Sequence, residues 1–119
     1  MKIVSLDQNG QFQRLYRRGK SVVTPTMVVY ALPNRMHRVR LGITAGKKVG
    51  GAVLRNRAKR RIRELFRTFL ADIRPGTDIC IVARTYTVHA PHKKLVRDFH
   101  TAMQKLEVWK NEEIADLHD

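Results

Sequence analysis

Between Lys47 and Arg67 the chain places nine basic residues and a single acid, Glu64. Leu54, Ala58, Ile62, Leu65, Phe66 and Phe69 recur through the same stretch at spacings that share one face of a helix turning at roughly 100° per residue. The pattern predicts a helix from about Val53 to Ile73, ended by Pro75-Gly76. Such a helix must bury one face and offer the other to something negative. Asn56, Arg60, Arg63 and Arg67 lie at i, i+4, i+7 and i+11, a stripe opposite the apolar side, with Arg57 and Arg61 flanking it and Lys59 adding to the charge. Arg55 points closer to the apolar side and is expected to reach around the first turn, where the helix N-terminus favours an anion. Guanidinium forks match phosphate oxygens bidentately. An ordinary solvated face mixes the two signs, and this one does not.

The rest of the chain agrees with a polyanionic partner. The net charge is +14 over 119 residues, and five of the ten acids are confined to residues 107–119. Charge this dense repels itself in a compact fold unless a counter-charge is bound in use. No apolar run approaches the roughly 18 to 20 residues of a membrane span. The polar residues that follow Met1 to Ser5 leave no signal-peptide core, so a cytoplasmic protein is expected. The single cysteine, Cys80, excludes an intrachain disulfide and a cysteine-rich zinc site.

Read in order, the chain gives α-β-β-β-α-β-α. Ser5 is a plausible N-cap for a first helix carrying Leu6, Phe12, Leu15 and Tyr16 and stopped at Gly19. Ser21–Val23 and Thr26–Leu32 read as strands hinged at Pro25, and Arg38–Thr44 alternates as a half-buried strand. Asp78–Ala83 is a compact apolar run fit for a central strand. A last helix, from about His92 to Glu107, turns Leu95, Val96, Phe99, Met103 and Leu106 inward. The expected architecture is a single α+β domain over residues 1–119, with an acidic tail from about 108.

The loop Gly46-Lys47-Lys48-Val49-Gly50-Gly51 fails the spacing of both a Walker A loop and a KH-type loop. It reads better as backbone amides and two lysines set beside phosphates. Phe12 and Tyr16, at i and i+4, and Tyr30 on the second strand supply rings that can either stack on unpaired bases or pack the core. Catalytic constellations are missing. The histidines show only the loose His89/His92 spacing, and the five acids before residue 107 are scattered, so neither a stand-alone nuclease nor a metal site in the protein is expected. A DNA-binding helix-turn-helix needs a helix pair where a strand follows Pro75-Gly76.

Several blocks together resemble the bacterial ribonuclease P protein subunit. They are Phe12–Ser21, Arg40-Leu41-Gly42-Ile43, Gly46-Lys47-Lys48-Val49-Gly50, Arg55-Asn56-Arg57-Ala58-Lys59-Arg60-Arg61-Ile62-Arg63-Glu64, and Asp78–Arg84. The likeness spans about residues 6 to 106. It implies a protein that assists a catalytic RNA in removing the 5′ leader from precursor tRNA, the RNA performing the hydrolysis with magnesium and the protein binding no cofactor itself. It implies an α/β sandwich with a four-stranded sheet and three helices, ribosomal-protein-S5-domain-2-like, with a left-handed βαβ crossover against the usual right-handed rule. By position, Lys47, Lys48, Arg55, Asn56, Arg57, Lys59, Arg60, Arg61, Arg63 and Arg67 would contact the catalytic RNA, while Phe12, Tyr16, Tyr30 and Arg84 would hold the leader. The alternative is a ribosomal or translation-associated RNA-binding protein with no part in cleavage.

Overall fold

The alternating run and the apolar run become neighbouring strands at the middle of the molecule. In the computed structural model, which describes residues 3–110, Val39–Thr44 (β4) pairs in parallel with Thr77–Ala83 (β5), Leu41 opposite Ile79 and Ile43 opposite Ile81. Met27–Pro33 (β3) lies antiparallel on the other side of β5, and Lys20–Val23 (β2) antiparallel on β3. The corner between β2 and β3 is closed by Thr24, whose hydroxyl donates to the Met27 carbonyl at 2.7 Å. Apolar side chains at alternate positions of these strands then define two faces.

One face carries Met27, Val29, Ala31, Leu41, Ile79 and Ile81 and is covered by two helices, Ala52–Phe69 (α2) and His92–Lys105 (α3). Ile62, Phe66, Leu95, Phe99 and Met103 fill the space between them, with the Phe66 and Phe99 rings edge-to-face at 6.2 Å. The opposite face holds a smaller cluster of Leu6, Leu15 and Cys80, flanked by Phe12, Tyr30, Leu32 and Val82 and only partly covered by the helix Asn9–Arg18 (α1). The sheet therefore divides a deep core from a shallow one.

Three expectations need correction. The sheet has five strands: Val4–Ser5 (β1) pairs in parallel with Arg40 and Leu41 at the free edge of β4, giving the order β1-β4-β5-β3-β2. Two residues are too few to show any alternation, and the strand exists because Leu6 is buried and its amide donates to the Leu41 carbonyl at 2.9 Å. Ser5 consequently lies in a strand, and the helix begins after Gln8. There the Gln11 side-chain carbonyl accepts the free amides of Asp7 and Gln8.

The C-terminal boundary also moves. Val108 and Trp109 belong to the core at 5% and 4% exposure, and Trp109 pairs with Ile73 in an antiparallel bridge. The Trp109 ring packs edge-on to Phe69 and Phe99 at about 6 Å, contacts that a run of acids in the sequence gives no reason to expect. The remaining acidic tail, residues 111–119, lies outside the described residues, as do Met1 and Lys2.

Candidate nucleic-acid interface

The polar face of α2 is cationic in space as well as in sequence. Asn56, Arg57, Arg60, Arg63 and Arg67 are exposed. Among the described residues the ion pairs are Arg40–Asp78 and Lys94–Asp98, and neither involves α2. Among the described residues the arginine stripe therefore has no ion-pair partner. Lys59 is half-buried at its margin.

Two arginines behave differently from the stripe. The Arg61 guanidinium turns inward and donates to the carbonyls of Thr87 at 2.8 Å, Val88 at 3.2 Å and Ala90 at 2.7 Å, clamping the turn that follows β5. Helical arithmetic had set it beside the stripe, but the acceptors come from residues 26 to 29 positions away, which no local pattern reveals. Arg55 is half-buried, as its position near the apolar side requires, and its Nε is enclosed without a hydrogen-bond partner.

The loop leading into α2 forms one 3-10 turn, Lys47–Val49. Val49 is buried as its anchor, which leaves Lys47 and Lys48 exposed. Gly50 takes φ +139, and a Cβ there would lie 2.5 Å from the Leu54 side chain, so only glycine fits. Gly51 caps α2 without a side-chain bond, so the first-turn amides stay open beside the two lysines.

On the shallow side of the sheet the predicted aromatics do converge. Gly42, Cys80, Tyr30 and Ser21 form one row across β4, β5, β3 and β2. Phe12 lies directly over Gly42, where a Cβ would come within 2.4 Å of its ring. The Tyr16 and Tyr30 rings meet edge-to-face at 5.0 Å, and the Tyr16 hydroxyl sits 3.6 Å from the Cys80 sulfur. Partial burial, helped by the neighbouring thiol, pushes the Tyr16 phenol up to about 12, so it remains a neutral donor. Burial likewise raises the Cys80 thiol and makes it a poor nucleophile.

Tyr16 is 42% exposed and Tyr30 half-buried, whereas Phe12 divides itself between the small core and the surface. The next row, Thr44, Val82, Val28 and Val23, extends this floor toward the end of the sheet. Val23 is 66% exposed. These floor residues were not singled out from sequence, though their alternation with inward-facing neighbours is the signal that marks them. Arg84 follows at the end of β5, exposed, with Nη1 donating to the Thr24 carbonyl at 2.8 Å.

Two carboxylates, Asp78 and Asp98, are engaged inside the fold. Asp78 receives the Arg40 guanidinium through two contacts of 2.7 Å and the Asn34 amide. Asp98 accepts from the Thr26 amide and hydroxyl and from Lys94. Among the described residues no three His, Cys, Asp or Glu side chains gather into a metal site, and no helix is long and apolar enough to cross a membrane.

A helix with an exposed arginine stripe, a lysine loop at its head, and a shallow apolar and aromatic floor on the other side of one sheet define a small α+β RNA-binding protein. A family model described as Ribonuclease P matches residues 1–107. The chain belongs to the ribonuclease P protein component family. It is 38% identical over 98 residues to the ribonuclease P protein component of Natranaerobius thermophilus, covering 82% of this chain and 85% of that one. With the corresponding protein of Caldanaerobacter subterraneus it shares 36% identity over 106 residues, 89% of this chain and 85% of the relative. The Staphylococcus aureus RNase P protein superposes with a TM-score of 0.80 at 34% identity, over 92% of this chain and 100% of that structure. The Thermotoga maritima RNase P protein gives 0.68 at 31% identity, over 78% and 92%. The ribosomal alternative gives way to this match.

Proposed function

We propose that the chain binds a catalytic RNA through α2 and the Lys47–Lys48 loop, and holds the single-stranded 5′ leader of precursor tRNA on the floor of Phe12, Tyr16 and Tyr30 beside Arg84. Hydrolysis is assigned to the RNA partner, with magnesium held by that RNA, in the cytoplasm. The observation that carries the reading is the exposed arginine stripe, which makes no ion pair among the described residues. Cations of this kind screen phosphates, and each contact releases counterions from the RNA. The geometry supports this division of labour. Guanidinium forks on a rigid helix suit a folded, phosphate-dense surface, whereas half-exposed rings on a shallow floor suit bases that are free to stack.

Asp78 and Asp98 fit this assignment, because both are spent on arginine, lysine, threonine and asparagine partners inside the fold. The chain supplies binding and orientation, and its net charge lowers the magnesium its partner needs.

The test is reconstitution with the catalytic RNA. The purified protein alone is expected to leave precursor tRNA intact, and the assembled complex to cleave it at lower magnesium than the RNA alone. Tyr16→Ala and Tyr30→Ala should weaken affinity for leader-bearing precursor by roughly tenfold, about 1.4 kcal/mol, and leave mature tRNA almost unchanged. Metal-dependent cleavage by RNA-free protein, or an unchanged precursor-to-mature ratio in folded variants, overturns the assignment.

A further inference from the structure

We propose that the Thr85–Val88 turn is an additional RNA-binding element, in which Tyr86 stacks on one unpaired nucleotide flanked by Arg84 and Lys48. This proposal rests on the RNA-binding reading above. Tyr86 belongs neither to the basic helix nor to the aromatic floor, yet it is a large ring left 43% exposed. Its place in the fold makes that exposure purposeful.

The turn bridges the two surfaces already described. On one side the Arg84 guanidinium reaches the Thr24 carbonyl at the corner of the shallow floor. On the other the Thr85 hydroxyl donates to the Lys48 carbonyl at 3.3 Å, in the loop that leads into α2. The turn thus carries Arg84 two residues before Tyr86 and lies against the backbone of Lys48.

The turn is also held with unusual completeness. The Arg61 guanidinium donates to two of its carbonyls, those of Thr87 and Val88, and to that of Ala90 just beyond it. The Arg84 amide donates to the Thr87 hydroxyl, which itself donates to the Thr26 carbonyl. Asp98 on α3 fixes Thr26 through its amide and hydroxyl. Thr87 is fully buried, Val88 and Ala90 nearly so, and Tyr86 is the large hydrophobic side chain this turn leaves in solvent. Rigidity of this kind reduces the ordering cost of binding, and a tyrosine loses little conformational freedom when a flat partner settles on it. Ring stacking is indifferent to base identity and needs an unpaired base. That base can come from the leader or from a bulged position of the catalytic RNA, and the two sources are separable.

The experiment uses the complex assembled with catalytic RNA. One arm measures precursor tRNA affinity as the leader is lengthened nucleotide by nucleotide. The other measures affinity of the protein for the catalytic RNA. Tyr86→Ala is expected to weaken binding by about five- to tenfold in one arm, which names the source, while Tyr86→Phe retains wild-type affinity because the ring is what stacks. As a readout independent of stability, a Tyr86→Trp variant should lose fluorescence on addition of the RNA that lost affinity, measured against the buried Trp109 of the unsubstituted protein. Unchanged affinity in both arms, a Tyr86→Phe variant as weak as Tyr86→Ala, or no quenching overturns the proposal. Failure of the underlying reading looks different: the unsubstituted protein would then give no gain in cleavage at low magnesium, whatever stands at residue 86.

Discussion

At the residue scale the shallow floor depends on one missing side chain. Gly42 sits in the middle of β4 with the Phe12 ring where its Cβ would be and Leu6 at 3.1 Å. Gly42→Ala should push that ring off the sheet. Because the contact is with the far end of a side chain, the expected cost is about 1 to 2 kcal/mol and not unfolding. Thermal melting checks the stability, and precursor affinity should fall in the same variant if Phe12 takes part in leader binding. Tyr16 gives a pH test. Its phenol is raised from 10 to about 12 in the fold, so the stability that goes with the neutral form is complete below pH 10 and is lost as pH climbs through 12. The stability difference between the unsubstituted protein and Tyr16→Phe should be constant up to about pH 10, then move against the former, as read from denaturation midpoints. That Phe12 and Tyr16 share a face was legible from the helical period, whereas their meeting with Tyr30 was implied by the family resemblance. That Phe12 is part of the core follows only from the empty space over Gly42, which spacing does not encode.

At the element scale, α2 does two jobs with one residue type. Its apolar face was readable to within a turn, because Leu54, Ala58, Ile62, Leu65, Phe66 and Phe69 repeat at the helical period, and all six are buried or half-buried. Its arginines were not equally readable. Arg60→Ala and Arg63→Ala remove exposed cations and should leave the melting temperature unchanged while lowering the log–log salt slope of RNA binding by about 0.7 to 0.9 each. Arg61→Ala strips donors from the carbonyls of Thr87, Val88 and Ala90 and should cost about 2 to 3 kcal/mol of stability. A melting series on the three variants separates the clamp from the stripe; equal stability losses at Arg60 and Arg61 would mean the division is wrong. The edge strand β1 was illegible for the opposite reason. Its two residues carry no period, and what creates it is the distant Leu41 carbonyl.

At the scale of the whole molecule, charge and packing end at different places. By composition the acidic segment starts at about residue 108, but Trp109 closes the deep core against Phe69 and Phe99. Trp109→Ala should therefore cost roughly 3 to 5 kcal/mol, a large share of the 5 to 15 kcal/mol typical of a domain this size. Removing residues 111–119 is a different operation. That segment holds Glu112, Glu113, Asp116 and Asp119 and no lysine or arginine, so its loss raises the net charge from +14 to +18. The backbone bonds at the boundary, from the Arg74 amide to Val108 and from the Lys110 amide to Asp72, survive the cut. A chain ending at Lys110 should melt like the full-length protein and bind catalytic RNA more tightly at low salt. The gain should shrink as ionic strength passes about 0.15 M, where the screening length falls to about 8 Å. Titrations at two salt concentrations with both chain lengths decide the matter. A gain that persists undiminished at high salt would mean that the acids oppose binding through contact and not through their field.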